Sequence, residues 1–296
     1  MVGQQFIPYR YGVKWAIQMR RNAIIISPDN KYVDLGIDGS AVIYNMADLN
    51  SNNSNNHNIY IIPNIIEWDT TEQKMLCHYI NDHMVGSPIS SSCNNINGVK
   101  NESRKDNTMF ICLIPSFKGR FKMIDWLLHK FWICCEEEKD SKKEKEEATQ
   151  HNDNNDTKGG KSMMGPLHVS PSLIQYIKDL MIHLRMHRLL VPGKGGGIHT
   201  GTLNDMIMLC ELIGSEIHGR DYVIPEDIKQ GFKWYIPWHM IPLQPDQWQL
   251  DTSLLYGSDP RYVKQFHEIV SSVRTEPGAL EYLIVDDILR NVIPAI

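Results

Sequence analysis

The sequence lacks the features that mark membrane and secreted proteins. No apolar run approaches the roughly 18 residues that a bilayer-spanning helix needs. The first twelve residues, MVGQQFIPYRYG, lack the apolar core of a signal peptide. We therefore expect an intracellular protein, in the nucleus, the cytoplasm or both, without a membrane partner.

The cysteines form no CxxC pair, and most of them lie in apolar runs. Both observations predict reduced core thiols rather than disulfides or a zinc site. Cys134 and Cys135 are adjacent, a spacing that favours neither a disulfide nor a metal site. The others are Cys77, Cys93, Cys112 and Cys210.

The sequence also lacks a basic excess and a catalytic signature. It has 30 Lys and Arg against 35 Asp and Glu, a net charge of −5, which argues against a strongly basic nucleic-acid binder but leaves a local basic patch open. It contains no Gly-x-Ser-x-Gly elbow and no Cys–His protease signature. We predict no catalytic, cofactor-binding or metal-binding residue, no cofactor, and no enzymatic activity.

Polar low-complexity segments divide the chain, because such compositions cannot bury enough apolar surface to offset the entropy of ordering. They predict flexible insertions at about 50–58 and 87–107 and a disordered charged linker at 136–165. The predicted domains are an α/β domain over 1–135 and a helical lid-like domain over 166–296.

The first domain alternates apolar runs with helical patterns. Ala23–Ser27, Ile59–Pro63 and Met109–Ile114 are continuous apolar runs, typical of strands buried on both faces of a parallel sheet. Between the second and third, Asp69 and Glu72 have the spacing of a capping box that begins a helix. A second helical pattern covers Met123–Phe131. The order β-α-β-α predicts an α/β layer.

The second domain is predicted to be helical. Ser170-Pro171, Thr202 and Pro225 each mark a helix start. A last amphipathic segment, Tyr282–Val292, is expected to dock on the body of the protein.

One segment, HGRDYVIPEDIK at 218–229, resembles the GRDYVTPEDVK stretch in the lid domain of MoxR-type AAA+ ATPases. Ile59–Asn81 resembles that family's Walker B strand and helix, and Met109–Trp132 its sensor-1 strand and the helix after it. This resemblance covers about two thirds of the chain. It implies a parallel α/β sheet domain followed by a helical lid-like domain.

The residues that serve nucleotide chemistry in that family are missing here. Ser27–Tyr32 has no glycine to bring backbone N–H groups to phosphates, and Pro63–Ile66 stands where the Walker B acids belong, with Glu67 too late. Lys130 replaces an arginine and cannot offer its bidentate guanidinium. No arginine occurs in Gly201–Asp205, where the lid arginine is expected. The resemblance therefore implies a degenerate, pseudo-ATPase frame.

A second resemblance covers nearly the whole chain. Five blocks, in order, are similar to the fungal family named maintenance of telomere capping protein 2. They are Trp126–Trp132, Asp179–Arg188, Gly196–Thr200, Asp251–Pro260 and Asn291–Pro294. The resemblance implies a role in telomere capping and brings no activity or catalytic residue.

Several local patterns allow a functional interpretation beside a structural one. The loop Pro192–Gly201 contains Lys194 among glycines, but it joins two predicted helices, so an interhelical turn is favoured over phosphate binding. His183 and His187 have a zinc-binding spacing without a third ligand, which favours ordinary histidines. The acidic clusters Glu136–Glu138 and Asp286-Asp287 are interpreted as solvated charge.

Two further clusters stay open between packing and binding. The aromatic residues Phe232, Trp234, Tyr235 and Trp238 suit core packing or interface anchors. A second set of side chains suits either an ordinary charged surface or a basic patch for an acidic partner. It comprises Arg10, Lys14, Arg20, Arg21, Arg185, His187, Arg188 and Lys194.

The sequence thus predicts a non-enzymatic regulatory or scaffold protein, associated with telomere capping, that acts through protein–protein contacts. The partners are unknown proteins. A residual ATP-binding switch and a direct nucleic-acid-binding protein are the alternatives. AAA+ proteins often form rings in which one subunit places an arginine in the nucleotide site of its neighbour. Because the resemblance implies that this nucleotide chemistry is missing here, we expect a monomer or a small complex.

Overall fold

The computed structural model describes residues 6–28, 40–52, 58–83, 108–136, 167–191, 193–243 and 278–294, and four single positions between 261 and 271. The chain divides into two compact units. The sheet unit is Arg10–Glu136, and the helical unit is Glu137–Ile296 together with Met1–Tyr9. The predicted insertion at 87–107 and nearly all of the predicted linker at 136–165 lie outside the described residues.

Short strands and helices alternate along the first part of the chain. The strands are β1 (Ile7–Pro8), β2 (Ala23–Ile26), β3 (Ser40–Val42), β4 (Ile59–Ile62), β5 (Met109–Ile114) and β6 (Ile133–Glu136). The helices are α1 (Tyr9–Met19), α2 (Met46–Asn52), α3 (Thr70–His83) and α4 (Asp125–Leu128). A 3₁₀ helix, Phe117–Lys122, lies between β5 and α4.

The sheet unit contains the predicted parallel sheet, with strands side by side in the order β6–β2–β5–β4–β3. Ala23 of β2 pairs with Ile111 of β5 and with Ile133 of β6, both in parallel register. All residues of β2 and β5 are buried, as expected for strands covered on both faces. The fold class predicted for this part of the chain is confirmed.

Asn22 joins the amino ends of three strands. Its side-chain amide donates to the Lys130 carbonyl at 3.1 Å, and its side-chain oxygen accepts from the Phe110 N–H at 2.8 Å. Its own carbonyl accepts from the Trp132 N–H at 2.8 Å. Because Asn22 is buried, these bonds satisfy polar groups that would otherwise cost stability.

Two local predictions need correction. The segment Met123–Phe131 forms only the short helix α4, because turns with i to i+3 hydrogen bonds satisfy the same apolar spacing, and Ile133–Glu136 then forms the unpredicted strand β6. Helix α2 runs to Asn52, and Asn45 caps its start by accepting from the Asp48 N–H at 2.9 Å. Residues 53–57 of the predicted insertion at about 50–58 lie outside the described residues.

Helices α5 (Pro171–Arg185), α6 (Thr202–Leu212), α7 (Pro225–His239) and α8 (Ala279–Asn291) lie in the helical unit. A π-helical turn, Ile213–Ile217, follows α6. Helix α8 packs against α5 and α7 with Ile284, Val285 and Ile288 buried, so the predicted docking helix docks within its own unit. Phe232, Trp234, Tyr235 and Trp238 are all buried, which places them in a core rather than on an exposed surface.

Five cysteines lie in the described part of the chain and all are buried and free: Cys77, Cys112, Cys134, Cys135 and Cys210. Cys93 lies outside it. None of the helices in the described ranges is long and apolar enough to span a bilayer.

Candidate functional site

Open α/β sheets bind ligands beyond the carboxyl ends of their strands, so the carboxyl edge of the sheet unit is the first place to look for a site. Ser27 follows β2, is buried, and donates its N–H to the Ile114 carbonyl at 2.9 Å. Asn64 follows β4, and Ser116 follows β5. The Walker A position continues from Ser27 through Tyr32, of which only Ser27 and Pro28 are described.

The end of β4 carries an amide where a nucleotide-hydrolysing site needs acids. Asn64 donates its side-chain N–H to Oε1 of Glu67, which stands one 3₁₀ turn later and is exposed. Magnesium in phosphate sites is held by carboxylates together with phosphate oxygens. Asn64 and Glu67 together offer magnesium a single carboxylate, which is already bonded to an amide. A nucleotide-hydrolysing site would instead have two acids at the end of this strand.

The 3₁₀ helix after β5 contains a buried guanidinium. Arg120 is only 1% exposed, and its Cζ lies 4.4 Å from the Phe117 ring centre and 4.7 Å from the Phe121 ring centre. Positions i and i+3 of a 3₁₀ helix lie above one another, which brings Phe117 onto Arg120. Cation–π attraction between the guanidinium and these rings stabilises the buried position of the Arg120 side chain. Sequence reasoning missed Arg120, although its place between phenylalanines is a usable signal.

Gln73 holds the next segment against helix α3. Its side-chain amide donates to the carbonyls of Trp68 at 3.0 Å and Lys122 at 3.3 Å, and its Oε1 accepts from the Ile124 N–H at 2.9 Å. Gln73 is buried, so these bonds fix the backbone between the 3₁₀ helix and α4. Sequence reasoning also missed this residue.

The same segment exposes two aromatic rings. Phe121 is 52% exposed and Trp126 is 65% exposed. Lys118 and Lys122 of the 3₁₀ helix are exposed too, as is Asp125. Both rings lie on backbone that Arg120 and Gln73 hold in place.

The helical unit contains a buried polar cluster around Asp205. The Tyr235 hydroxyl donates to Oδ2 of Asp205 at 3.2 Å, and Nε2 of His199 lies 3.6 Å from the same oxygen. Nδ1 of His199 accepts from the Gly201 N–H at 3.0 Å, so in the neutral ring Nε2 carries the proton and faces Asp205. The His239 ring stacks on Tyr235 with centres 4.1 Å apart. This geometry suits a structural network that ties the loop before α6 to α7.

The glycine loop belongs to this network rather than to a phosphate site. Gly197 has φ of +83°, and a Cβ there would lie 2.5 Å from the His239 carbonyl oxygen. The loop joins α5 to α6 and packs on the end of α7, as the Ile241 N–H bonded to the Gly196 carbonyl shows. A P-loop joins a strand to a helix, whereas this loop joins two helices, so it does not have the structural context of a P-loop.

The segment resembling the AAA+ lid forms an ion pair between a partly exposed arginine and a buried carboxylate. Nη2 of Arg220 lies 2.7 Å from Oδ1 of Asp227, whose Oδ2 accepts from the Ile224 N–H at 2.9 Å. Asp227 therefore closes the first turn of α7, and Arg220 neutralises it. Nε2 of His218 lies 3.7 Å from the same carboxylate. The charges of this segment serve the fold of the helical unit.

The acidic candidates of α8, Asp286 and Asp287, lie beside basic side chains of their own unit. His187 lies 3.2 Å from Asp287, and Lys233 lies 3.5 Å from Asp286, so both acids of the Asp286-Asp287 cluster have basic neighbours. Burial lowers the pKa of His187, with Asp287 acting in the opposite direction. His183 is exposed.

Within the described ranges, no three His, Cys, Asp or Glu side chains converge where they could hold a metal ion. Burial raises the pKa of the Cys112 and Cys134 thiols well above the ordinary value and that of Cys135 to about 12, so these thiols are not poised nucleophiles.

No family model matches the chain. The protein named maintenance of telomere capping protein 2 of Zygosaccharomyces rouxii is 31% identical over 245 residues, which are 80% of this chain and 73% of that protein. The Saccharomyces cerevisiae protein of that name is 31% identical over 202 residues, 60% of this chain and 56% of that protein. The Kluyveromyces lactis protein is 29% identical over 180 residues, 58% and 60% respectively.

A solved structure from Cytophaga hutchinsonii, described as a "putative ATPase", is similar with a TM-score of 0.54 and 13% identity. The match covers 100% of this chain and 93% of that one. At this identity the likeness concerns the fold alone. It agrees with the AAA+-like fold implied by the sequence resemblance.

Proposed function

Because this chain belongs to the maintenance of telomere capping protein 2 family, we propose that it takes part in telomere capping as a non-enzymatic regulatory or scaffold protein. It would act in the nucleus through protein–protein contacts. Its fold would be ATPase-like but would not carry out nucleotide hydrolysis. The relatives' name supports the role in capping. It supplies no reaction and no partner.

The observation that carries the non-enzymatic proposal is the end of β4. An ATPase with a parallel sheet of this kind needs acids there to hold magnesium and to activate water. Here Asn64 stands at the strand end, and its amide engages the carboxylate of Glu67. A neutral amide offers magnesium an uncharged oxygen and cannot accept a proton from water, so metal-assisted phosphoryl transfer is disfavoured.

The positive charges of the frame support the same proposal. Nucleotide sites use cations directed at phosphates. Arg220 lies against Asp227, and Arg120 lies buried against two phenyl rings. Both guanidinium groups therefore stabilise their own unit.

A thermal-shift titration with Mg-ATP and Mg-ADP tests the proposal in vitro. A ligand at one hundred times its Kd stabilises a protein by about 2.7 kcal/mol, a shift of a few degrees for a chain of this size. We expect no shift at millimolar nucleotide. A saturable shift would instead support the residual ATP-binding switch, which the fold likeness to an ATPase keeps as the second candidate.

Complementation tests the proposal in cells. In cells that lack the gene for this chain, the wild-type gene should restore telomere capping, measured as loss of single-stranded telomeric DNA. Glu67→Gln should restore it equally, because glutamine keeps the oxygen that accepts from Asn64 and removes only the charge. Failure of Glu67→Gln beside a working wild type would indicate hidden acid chemistry at this position.

A further inference from the structure

His187 connects three segments of the helical unit. It stands just after helix α5, and its Nδ1 accepts the Leu189 N–H at 3.3 Å. Its Nε2 lies 3.2 Å from Oδ2 of Asp287, which belongs to helix α8. A neutral ring that carries its proton on Nε2 makes both hydrogen bonds at once, because Nε2 then donates and Nδ1 accepts. Both contacts therefore suit the neutral form of the imidazole.

The backbone that His187 holds belongs to a short antiparallel pairing. The Leu189 carbonyl accepts from the Leu243 N–H at 2.9 Å, and the Val191 N–H donates to the Ile241 carbonyl at 3.1 Å. This pairing of Leu189–Val191 with Ile241–Leu243 is called the bridge below. The Leu189 and Leu243 side chains are buried. One imidazole thus contacts the end of α5, the start of the bridge and α8.

A proton on His187 would remove the acceptor that holds the bridge. The imidazolium has two donors and no acceptor, so Nδ1–H would face the Leu189 N–H. The His187 side chain is only 9% exposed, so its charge would also be poorly solvated. The opposing gain is small, because the Asp287 side chain is 54% exposed and an ion pair in contact with solvent contributes little.

The charged groups around the ring do not reverse this balance. Burial is the largest cause and lowers the pKa of His187, Asp287 raises it, and the neighbouring Arg188 lowers it. The segment Ile241–Leu243 has no titratable side chain. Lys233 of α7 lies 3.5 Å from Asp286 of α8. The other charged or titratable side chains of the adjoining segments are His183, Arg185, Lys194 and Arg290.

We propose that His187 is a pH-sensitive switch in the helical unit: a proton on its ring releases the bridge and the adjoining part of α8, while α6 and α7 stay folded. The release would expose Leu189 and Leu243, which are buried in the neutral state. Helices α6 and α7 keep contacts that do not involve His187, such as Tyr235 to Asp205 at 3.2 Å. This inference concerns the regulation of the helical unit and does not depend on the proposed function.

Hydrogen–deuterium exchange of the full chain at a series of pH values tests the switch, with each rate divided by its intrinsic rate at that pH. The open state takes up the proton near the ordinary pKa of 6.5, and the closed state takes it up only below that value. Protection of the bridge and of 284–292 should therefore be complete above pH 6.5 and should fall about fivefold by about pH 5.5. Peptides of α6 and α7 are the internal control and should change less than about twofold.

Two variants should change this pH dependence in opposite directions. His187→Gln cannot take up a proton near neutral pH, so the protection of the bridge should no longer depend on pH. Asp287→Asn removes the group that raises the pKa of His187, so protection should fall further than in wild type over the same range. The matched control is Asp286→Asn, which alters the acid beside Lys233 and should keep the wild-type dependence.

Three results would overturn the inference. An equal loss of protection in α6 and α7 would mean that acid unfolds the whole helical unit. A wild-type bridge whose protection is the same at all pH values would mean that the proton does not open it. An Asp287→Asn variant that is less sensitive to acid than wild type would mean that the closed state holds the proton. Because the Asp287 side chain is half exposed, this last measurement stays available if His187→Gln does not fold.

Discussion

The guanidinium of Arg220 and the carboxylate of Asp227 lie 2.7 Å apart, and the side chain of Asp227 has no exposure to solvent. The carboxylate also accepts the Ile224 N–H, which precedes the first turn of α7. One acid therefore caps a helix and neutralises an arginine seven residues earlier. The segment that most resembles an ATPase lid is thus held by its own internal chemistry.

Replacement of Asp227 by Asn should destabilise the helical unit by about 2 kcal/mol, because it leaves the Arg220 charge without its partner. Thermal or urea unfolding measures this loss. Glu226→Gln is the control, since its contact with Lys229 at 3.6 Å is exposed and contributes at most about 0.5 kcal/mol. Equal effects of the two substitutions would contradict the assigned role.

Gly197→Ala should destabilise the chain more than Gly193→Ala does. Both glycines have positive φ, +83° and +78°, so both substitutions incur the left-handed strain of about 1 kcal/mol. Only at Gly197 would the new Cβ approach backbone atoms, at 2.5 Å from the His239 oxygen and 2.6 Å from the Ile241 nitrogen. The difference in unfolding free energy should be about 1–3 kcal/mol. Similar losses of unfolding free energy in the two variants would show that the loop around Gly197 shifts to accommodate the new Cβ.

His187 should make the protein less stable in mild acid. Burial lowers its folded-state pKa below the ordinary value of 6.5, so the unfolded chain takes up the proton more readily. Stability should be fully present above pH 6.5 and should fall as the pH drops from there toward the folded-state pKa. His187→Gln should flatten this dependence, which urea unfolding at a series of pH values measures.

Asp287→Asn should lower the pKa of His187 further, because Asp287 raises it through a hydrogen bond and through its charge. Arg188 acts in the opposite sense and stays unchanged in this variant. An NMR titration of the imidazole measures both values. A wild-type pKa above 6.5 would contradict the burial of this ring.

The buried thiols should resist alkylation in the folded protein. Burial raises the pKa of Cys135 to about 12, so about one thiol in 10,000 is ionised at pH 8, and burial also raises the pKa of Cys112, Cys134 and Cys210. Peptide mapping after iodoacetamide should find these four residues modified only in denaturant. Rapid labelling of native Cys134 or Cys135 would show that β6 opens.

Local signals in the sequence predicted the elements that local chemistry determines. The capping box of Asp69 and Glu72 occurs with both hydrogen bonds, at 3.2 and 2.7 Å, and Ser170 caps α5 by accepting from the Leu173 N–H at 3.4 Å. The continuous apolar runs became β2, β4 and β5. Each of these features depends on residues that lie within one or two turns of each other.

Features that depend on distant residues escaped prediction. Strand β6 was missed because the apolar run Phe131–Cys135 stands directly before a charged segment and follows a helical pattern. Gln73 acquires its role only from neighbours that the fold brings to it, such as Lys122, which lies 49 residues away along the chain. The exposure of Phe121 and Trp126 could not be predicted either, because it is a property of the packed unit.

The position of β2 has a consequence for biosynthesis. This strand leaves the ribosome before its neighbours in the sheet, β5 and β6, and Ala23 pairs with Ile111. At about 5–20 residues per second, β2 waits roughly 4–18 s before the first of these partners is made. During that time Ala23–Ile26 is an unpaired apolar segment, the kind that chaperones bind. Slower translation between the codons for residues 26 and 109 should therefore increase aggregation of the nascent chain without any change in the mature protein.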